Sequence, residues 1–391
     1  MRQIMCIFDA YLRRIKQLID AKHPIRMSEY IYQQGNWPHF TWDDLAIQAI
    51  FGEVRLLQGK IQGRMLALGF PSKEESILQS LTLDVLKSSE IEGEILNYDQ
   101  VRSSIAIRLG LEAGGLKSVD RNVEGIVDMV LDATQQYTKE LTNERLFGWH
   151  AALFPTGHSG MYPIEVAKYR TGIMQVVSGA IGHERVHFQA IPPADLPAEM
   201  AQFMAWFNQP NGLDPVLKAA IAHFWFIIIH PFDDGNGRIA RALTDLLLAR
   251  SENSPDRFYS MSSQIMAEKK NYYAILQQVQ YSSGDITAWL VWFLTCMKHA
   301  LLAAEQQLDA VLWKVDFWKK HDQVALNHRQ RLMLTKLMHD FQGKLQSSKW
   351  AKMAHCSHDT ALRDINDLLA KGILRQEMGG GRNTTYELIP Y

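Results

Sequence analysis

The chain has 391 residues, 47% hydrophobic and 21% charged, with a net charge of −1. That length predicts two or three domains and ample core. The near-neutral balance excludes a global attraction for nucleic acid or membrane, so any such partner must rest on a local patch. The three cysteines, Cys6, Cys296 and Cys356, are far apart without paired spacing, which excludes a zinc ribbon or disulfide framework and fits a reducing cytoplasm. The longest apolar run, around Ile221 to Ile229, falls short of the roughly 18 residues that span a bilayer. The first stretch, broken by Asp9, Arg13 and Arg14, makes a poor signal peptide. The expectation is a soluble, cytoplasmic protein with no membrane partner.

Residues 1–26 carry a helix-like apolar pattern (Ile4, Ile7, Phe8, Tyr11, Leu12, Ile15, Leu18). They read either as a docking helix or as an extension ahead of a start at Met27. The next stretch is aromatic and turn-rich, with Trp37, Phe40 and Trp42 as a local core. Thr41 or Asp43 then caps a helix running to about Met65. A second amphipathic helix, 73–90, runs into Ser88-Ser89-Glu90-Ile91-Glu92-Gly93-Glu94. The i,i+4 spacing puts Ser88 and Glu92 on one helix face; taken alone, the run is an acidic helix end with a glycine cap. Helices follow at about 97–110, 121–138 and 143–153.

After Tyr169-Arg170-Thr171-Gly172 the pattern changes. Ile173, Met174, Gln175, Val176 and Val177 form one short strand and 186–190 another, separated by the hairpin signal Ser178-Gly179-Ala180-Ile181-Gly182. His183-Glu184-Arg185-Val186-His187 matches the zinc pattern H-E-x-x-H, but that pattern needs a helix. Four residues along a strand span roughly 13 Å, so no zinc site is expected. A helix from Leu196 to Phe207 and the apolar run Ala219 to Ile229 lead into His-Pro-Phe-Asp-Asp-Gly-Asn-Gly-Arg-Ile-Ala-Arg at 230–241. This loop gathers an imidazole, one or two carboxylates, a glycine-rich helix start and two arginines one turn apart. A general base, a cation ligand, an anion-binding helix N-terminus and two phosphate clamps suit phosphoryl or nucleotidyl transfer.

Residues 264–281 read as one helix with Tyr272 and Tyr273 side by side, and a Trp-rich helix follows from about Thr287 to Met297, with helical pattern to about His321. The last segment has three helical stretches, 328–341, 347–354 and 358–371, then strand, glycine turn and strand, the order of a winged helix-turn-helix. From Arg329 onward ten Lys or Arg stand against six Asp or Glu. That permits DNA contact through helix 358–371 and the Arg382 wing; binding to protein alone stays open.

The stretch at 230–241 resembles the signature of the Fic family, H-x-F-x-[DE]-G-N-G-R-x-x-R, at every specified position. The resemblance implies a mainly α fold: a Fic-type helical core with a small β-hairpin flap, here followed by the winged helix-turn-helix. It divides the chain into an extension (1–26), a helical module with an inhibitory motif (27–110), the Fic core (111–300), a connecting helix (301–326) and the winged domain (327–391). The activity implied is transfer of AMP from ATP to a Ser, Thr or Tyr hydroxyl of a target protein, or of the chain itself. His230 is then the general base and Asp234 the Mg²⁺ ligand, while Gly235, Asn236, Gly237, Arg238 and Arg241 bind the phosphates. Phe232 plugs the core, and Asp233, at the unspecified position, faces solvent. Ser88, Glu92 and Gly93 match the family's inhibitory motif, with Glu92 pairing with Arg241. Ile173, Met174, Gln175, Val176 and Val177 form the flap that holds a target by strand addition, and Tyr272 and Tyr273 lie near the adenine pocket or in the core. Removal of AMP by the same site and an ATP-sensing DNA-binding regulator are the alternatives; a kinase role is disfavoured by the intact Gly-Asn-Gly-Arg. A homodimer stays open.

Overall fold

The computed structural model describes residues 29–66, 70–111, 120–178, 185–210, 212–339, 341, 343–377 and 384–389. The 1–26 extension, His183, Glu184, the 379–381 glycines and Arg382 lie outside them. The chain divides into two compact units, Met1–Leu308 and Asp309–Tyr391.

In the first unit a 3-10 turn (Ile31–Gln33) precedes α1 (Asp44–Leu66), α2 (Phe70–Ile91), α3 (Tyr98–Arg108), α4 (Arg121–Gln135) and α5 (Asn143–Leu153). Two short ladders follow: β1 (His158–Ser159) with β2 (Tyr162–Pro163), which no sequence signal announces, and β3 (Gln175–Ser178) with β4 (Arg185–Gln189). Then come α6 (Leu196–Asn208), α7 (Pro215–Ile229), α8 (Asn236–Glu252), α9 (Met261–Ala267), α10 (Lys269–Val279) and α11 (Thr287–Lys320), which begins in this unit and ends in the second. The single helix expected at 264–281 is two, because the backbone leaves helical geometry at Glu268 (φ −104°, ψ 20°).

Helix α7 is the central rod. Asp214 caps it by accepting from the Val216 amide at 2.8 Å, and Pro215 occupies its first turn. Its residues are buried on every side, Phe224 and Phe226 completely, as expected for a helix that is apolar all round. It packs along α8, whose Ile239, Leu243 and Leu246 are equally buried. Trp37 and Phe40 of the aromatic stretch set their rings edge-on to Trp225 of α7, at 6.1 and 5.8 Å between centroids. Trp42 instead donates to Asp44 at 2.8 Å. By length and composition α11 could cross a bilayer; its Trp289, Leu290, Phe293 and Leu294 are fully buried within this unit.

The second unit contains α12 (His328–His339), α13 (Ser347–Met353), α14 (His358–Ala370) and the antiparallel pair β5 (Leu374–Gln376) and β6 (Tyr386–Leu388). Its own core gathers Phe317, Met333, Trp350, Ile365 and Leu368.

Helix α5, which supplies one wall of the 230–241 loop, is held to α4 by two contacts to Asp132. Arg145 and Trp149 each donate to its carboxylate at 2.7 Å. The helices approach at Gly125, where an added Cβ would lie 1.7 Å from the carbonyl oxygen of Ala152. Gly125→Ala should therefore cost about 1–3 kcal/mol and lower the melting temperature by several degrees, whereas Gly148→Ala, with nothing within 4 Å of its added methyl, should not. Equal melting of both variants by circular dichroism would contradict this close crossing.

Candidate active site

Helix α7 ends because His230 turns left-handed (φ 51°, ψ 60°), its amide still donating to the Phe226 carbonyl at 3.0 Å. Few non-glycine residues adopt that conformation, and it usually marks a turn or a functional constraint. The loop beyond is braced from within. The Asn236 side chain accepts from the Phe232 amide at 3.0 Å and donates to the Phe232 carbonyl at 2.8 Å. Phe232 is fully buried and stacks on His150 of α5, 4.3 Å between ring centres. The Ala167 amide donates to His150 Nδ1 at 3.1 Å, so the proton is on Nε2, which donates to the Asp234 carbonyl at 3.2 Å. Burial pulls the His150 pKa down to about 4, keeping this tautomer neutral at pH 7.

The His230 ring lies within 3.3 Å of the Ile227 carbonyl through Nδ1. A carbonyl only accepts, so Nδ1 carries the proton and Nε2 keeps its lone pair. Desolvation, aided by the Arg170 charge, lowers its pKa to about 4, against the pull of the Ile227 carbonyl and the Asp234 and Glu92 carboxylates. The ring is only half-buried; with or without the full shift, it is an unprotonated base at pH 7.

Gly235 (φ 82°) starts α8, and its amide donates to Asp234 Oδ1 at 2.6 Å. The other oxygen of Asp234 accepts from the Ser159 hydroxyl. Arg238 is 7% exposed; it lies over the Phe154 ring at 5.0 Å and pairs with Glu94 at 3.1 Å. Arg241 is 2% exposed and donates from Nε to the Ser88 hydroxyl and from Nη2 to the Ser88 carbonyl and Glu92 Oε1, all at 2.8 Å. The Glu92 carboxylate stands in front of the first turn of α8: a Cβ on Gly237 would lie 2.2 Å from its Oε1. A carboxylate thus occupies the place where amide groups and the helix dipole favour an anion.

Residues 140–248 match the model of the Fic/DOC family, and residues 30–111 match a domain of unknown function (DUF4172). The 230–241 loop lies inside the Fic-like region. It is 30% identical over 250 residues to the protein adenylyltransferase Fic of Drosophila grimshawi, covering 62% of this chain and 44% of that protein. It is also 30% identical over 244 residues to the one of Culex quinquefasciatus, covering 59% and 41%. The match thus spans less than half the length of these relatives. Among solved structures, a Fic family protein from Desulfovibrio desulfuricans G20 superposes with a TM-score of 0.52 at 20% identity, over 90% of this chain and 98% of that one. At that identity the likeness is one of fold.

Among the site residues, two sequence expectations change and one open choice is decided. Asp233 does not face solvent: it is half-buried, and its carboxylate accepts from the Glu165 amide at 2.9 Å. Tyr272 is 2% exposed and donates to or accepts from His223 Nε2 at 2.9 Å, while His223 Nδ1 lies 2.9 Å from the Thr244 hydroxyl. Tyr272 therefore belongs to the core rather than to an open pocket wall; Tyr273 is half-buried beside it. In the flap, Gln175, Val176 and Val177 are in β3, but Met174 only accepts one bond, from the Ala190 amide at 3.0 Å, and Ile173 is 73% exposed ahead of the strand. The last three residues of the H-E-x-x-H stretch, 185 to 187, lie in β4.

Other residues around the loop carried no local signal. His150, Ser159 and Arg170 reach it from 60 or more positions away. Glu94 lies in the same acidic run as Glu92 but outside the matched motif, and only its pairing with Arg238 singles it out. Gly93 (φ 89°) ends α2 with its amide on the Glu90 carbonyl at 3.0 Å, and Lys269 donates to the Ile91 carbonyl at 2.5 Å. These contacts fix the turn that presents Glu92.

Proposed function

We propose that the protein is an adenylyltransferase that moves AMP from ATP onto a hydroxyl side chain of a protein target and is held inactive by Glu92. The single observation that carries the reading is the Glu92 carboxylate bound to Arg241 at the first turn of α8, in a loop that also holds an unprotonated His230. The relatives named as protein adenylyltransferases support the same chemistry.

In this mechanism His230 Nε2 accepts the proton of the target hydroxyl. The oxygen forms a bond to the α-phosphorus of ATP while the bond to the β-phosphate oxygen breaks, and pyrophosphate leaves. The amides at Gly235 to Gly237, with Arg238 and Arg241, bind the polyphosphate. Asp234, with the Ser159 hydroxyl beside it, offers the hard oxygen donors that Mg²⁺ accepts, and one carboxylate is enough for an ion that keeps waters and phosphates as its other ligands. Such an ion would neutralise charge on the leaving pyrophosphate. Among the described residues β3 and β4 form a two-stranded sheet with no further strand beside it, which supports strand addition as the way a target is held.

A charge-assisted bond to a buried guanidinium is worth about 1.5–3 kcal/mol, or ten- to a hundredfold in rate. Glu92→Gly should therefore raise AMP incorporation at least tenfold, and His230→Ala should abolish it. Glu94, more exposed, should contribute less: an exposed pair is worth about 0.2–1 kcal/mol, so Glu94→Gln should raise the rate by up to about fivefold. Mass-detected AMP on the protein or target reads all three. Equal labelling of the parent and Glu92→Gly would remove inhibition from the account, and loss of AMP from a modified target without ATP would mark the reverse reaction instead.

A second reading attaches to the C-terminal unit. Two of the three carboxylates of α14 are engaged inside that unit, with Asp359 exposed: Asp364 accepts from Arg329 at 2.8 and 3.1 Å, and Asp367 accepts from Gln330 at 2.7 Å and from Lys371. Arg363 and Asn366 are exposed on the same helix. This supports contact of α14 with DNA by a winged helix-turn-helix. Retention on duplex DNA should fall steeply with salt and persist in His230→Ala; no retention at low salt would leave protein binding as its role.

A further inference from the structure

Arg170 is a buried cation that no part of the proposed chemistry uses. It is 2% exposed, and its hydrogen bonds among the described residues all go to main-chain carbonyls. Nε donates to His230 O at 2.7 Å, Nη1 to Gly172 O at 2.9 Å and Nη2 to Ile191 O at 2.5 Å. Its own amide donates to the Pro231 carbonyl at 2.9 Å. One residue therefore holds the carbonyls of both His230 and Pro231. It also holds one carbonyl on either side of the β3–β4 hairpin.

We infer that Arg170 is a positioning residue that locks the left-handed His230 turn to both ends of the flap, so that the base and the target-binding strand keep a fixed relation. The inference rests on the AMP-transfer reading for its consequence in rate, but the geometry stands apart from it. A left-handed histidine is unfavourable by itself and persists only where its surroundings over-determine it. The Arg170 fork supplies that constraint, since a planar guanidinium can serve three carbonyls in fixed directions where an ammonium or an amide cannot. A buried cation must also be fully hydrogen-bonded to be tolerated, so the three segments cannot move apart without exposing it. From the other side the flap is met by the N-terminal module, where the Tyr32 hydroxyl donates to the Gln189 carbonyl at 2.9 Å and Phe188 lies edge-on to Tyr30 at 5.5 Å.

The titratable groups that bear on Arg170 are Asp233 and Tyr32, the latter neutral at pH 7, and those that bear on His230 are Arg170, Asp234 and Glu92. Arg170 disfavours a second positive charge on His230, which separates positioning from mere structural support. Arg170→Lys keeps the charge and loses the fork; Arg170→Gln loses both.

The experiment places each change in the full chain carrying Glu92→Gly. In both variants kcat for AMP transfer should fall at least tenfold, the effect of misplacing a base by a fraction of an ångström, with the KM for ATP within about twofold. Amide exchange at 173–178 and 185–190 should accelerate in both. By NMR, the His230 titration should move to higher pH in Arg170→Gln and stay with the parent in Arg170→Lys. Unchanged ATP affinity by calorimetry shows that the variants are folded. Parent-like kcat in both variants, or a His230 titration unmoved by Arg170→Gln, would overturn the assignment. If the Glu92→Gly parent transfers no AMP, the proposed reaction fails, while the titration and the exchange rates still decide the role of Arg170.

Discussion

A guanidinium that is 2% exposed must have acceptors, and for Arg241 they come from one turn of α2. Burial works against its charged form, and the Glu92 carboxylate, together with Tyr272 and Tyr273, more than offsets that, so its pKa lies above the ordinary arginine value. The need is chemical rather than specific. Any anion placed at the first turn of α8 can meet it, and on the proposed mechanism Glu92 and the phosphates of a nucleotide are alternatives for one site. Gly237 is the steric counterpart of this arrangement, because a side chain there would strike the Glu92 carboxylate.

The helix that carries Glu92 is not loosely attached. Asp84 of α2, 1% exposed, accepts from the Ser260 hydroxyl at 2.5 Å and from the Ser262 amide at 3.2 Å, at the start of α9. Burial, then the nearby Asp245, pushes its carboxyl far above the ordinary carboxylate range. Fully buried Arg257 donates to the Asp245 carbonyl at 3.1 Å and closes the link to α8. Such a buried polar network is costly to open in part. Withdrawal of Glu92 from Arg241 thus calls for movement of the short turn at Glu92–Glu94, where the chain leaves the helix, while the two bonds to Ser88 stay with α2.

Much of this was legible in the residues. Helix α5 has the bounds its apolar stripe predicts, whereas the apolar run Ala219 to Ile229 caught only the later part of α7, which starts at Pro215 behind its Asp214 cap. The loop at 230–241 and the run at 88–93 could be found because their residues are close in sequence, and pairing across them was expected. What escaped depends on partners far along the chain. Asp233 is turned inward by the Glu165 amide, and Tyr272 is drawn into the core by His223. Arg170 looks like any loop arginine until three carbonyls from separate segments are seen around it. Glu94 could have been suspected from its acidic neighbours, but only Arg238 beside it distinguishes it from a solvated charge.

The central claim is that Glu92 acts through Arg241, and a double-mutant cycle on the AMP-transfer rate measures that coupling directly. The gain produced by Glu92→Gly should vanish when Arg241→Ala is already present, because no clamp remains to be released. The same fold gain with and without Arg241 would mean that Glu92 restrains the site by some other route, and would contradict the account.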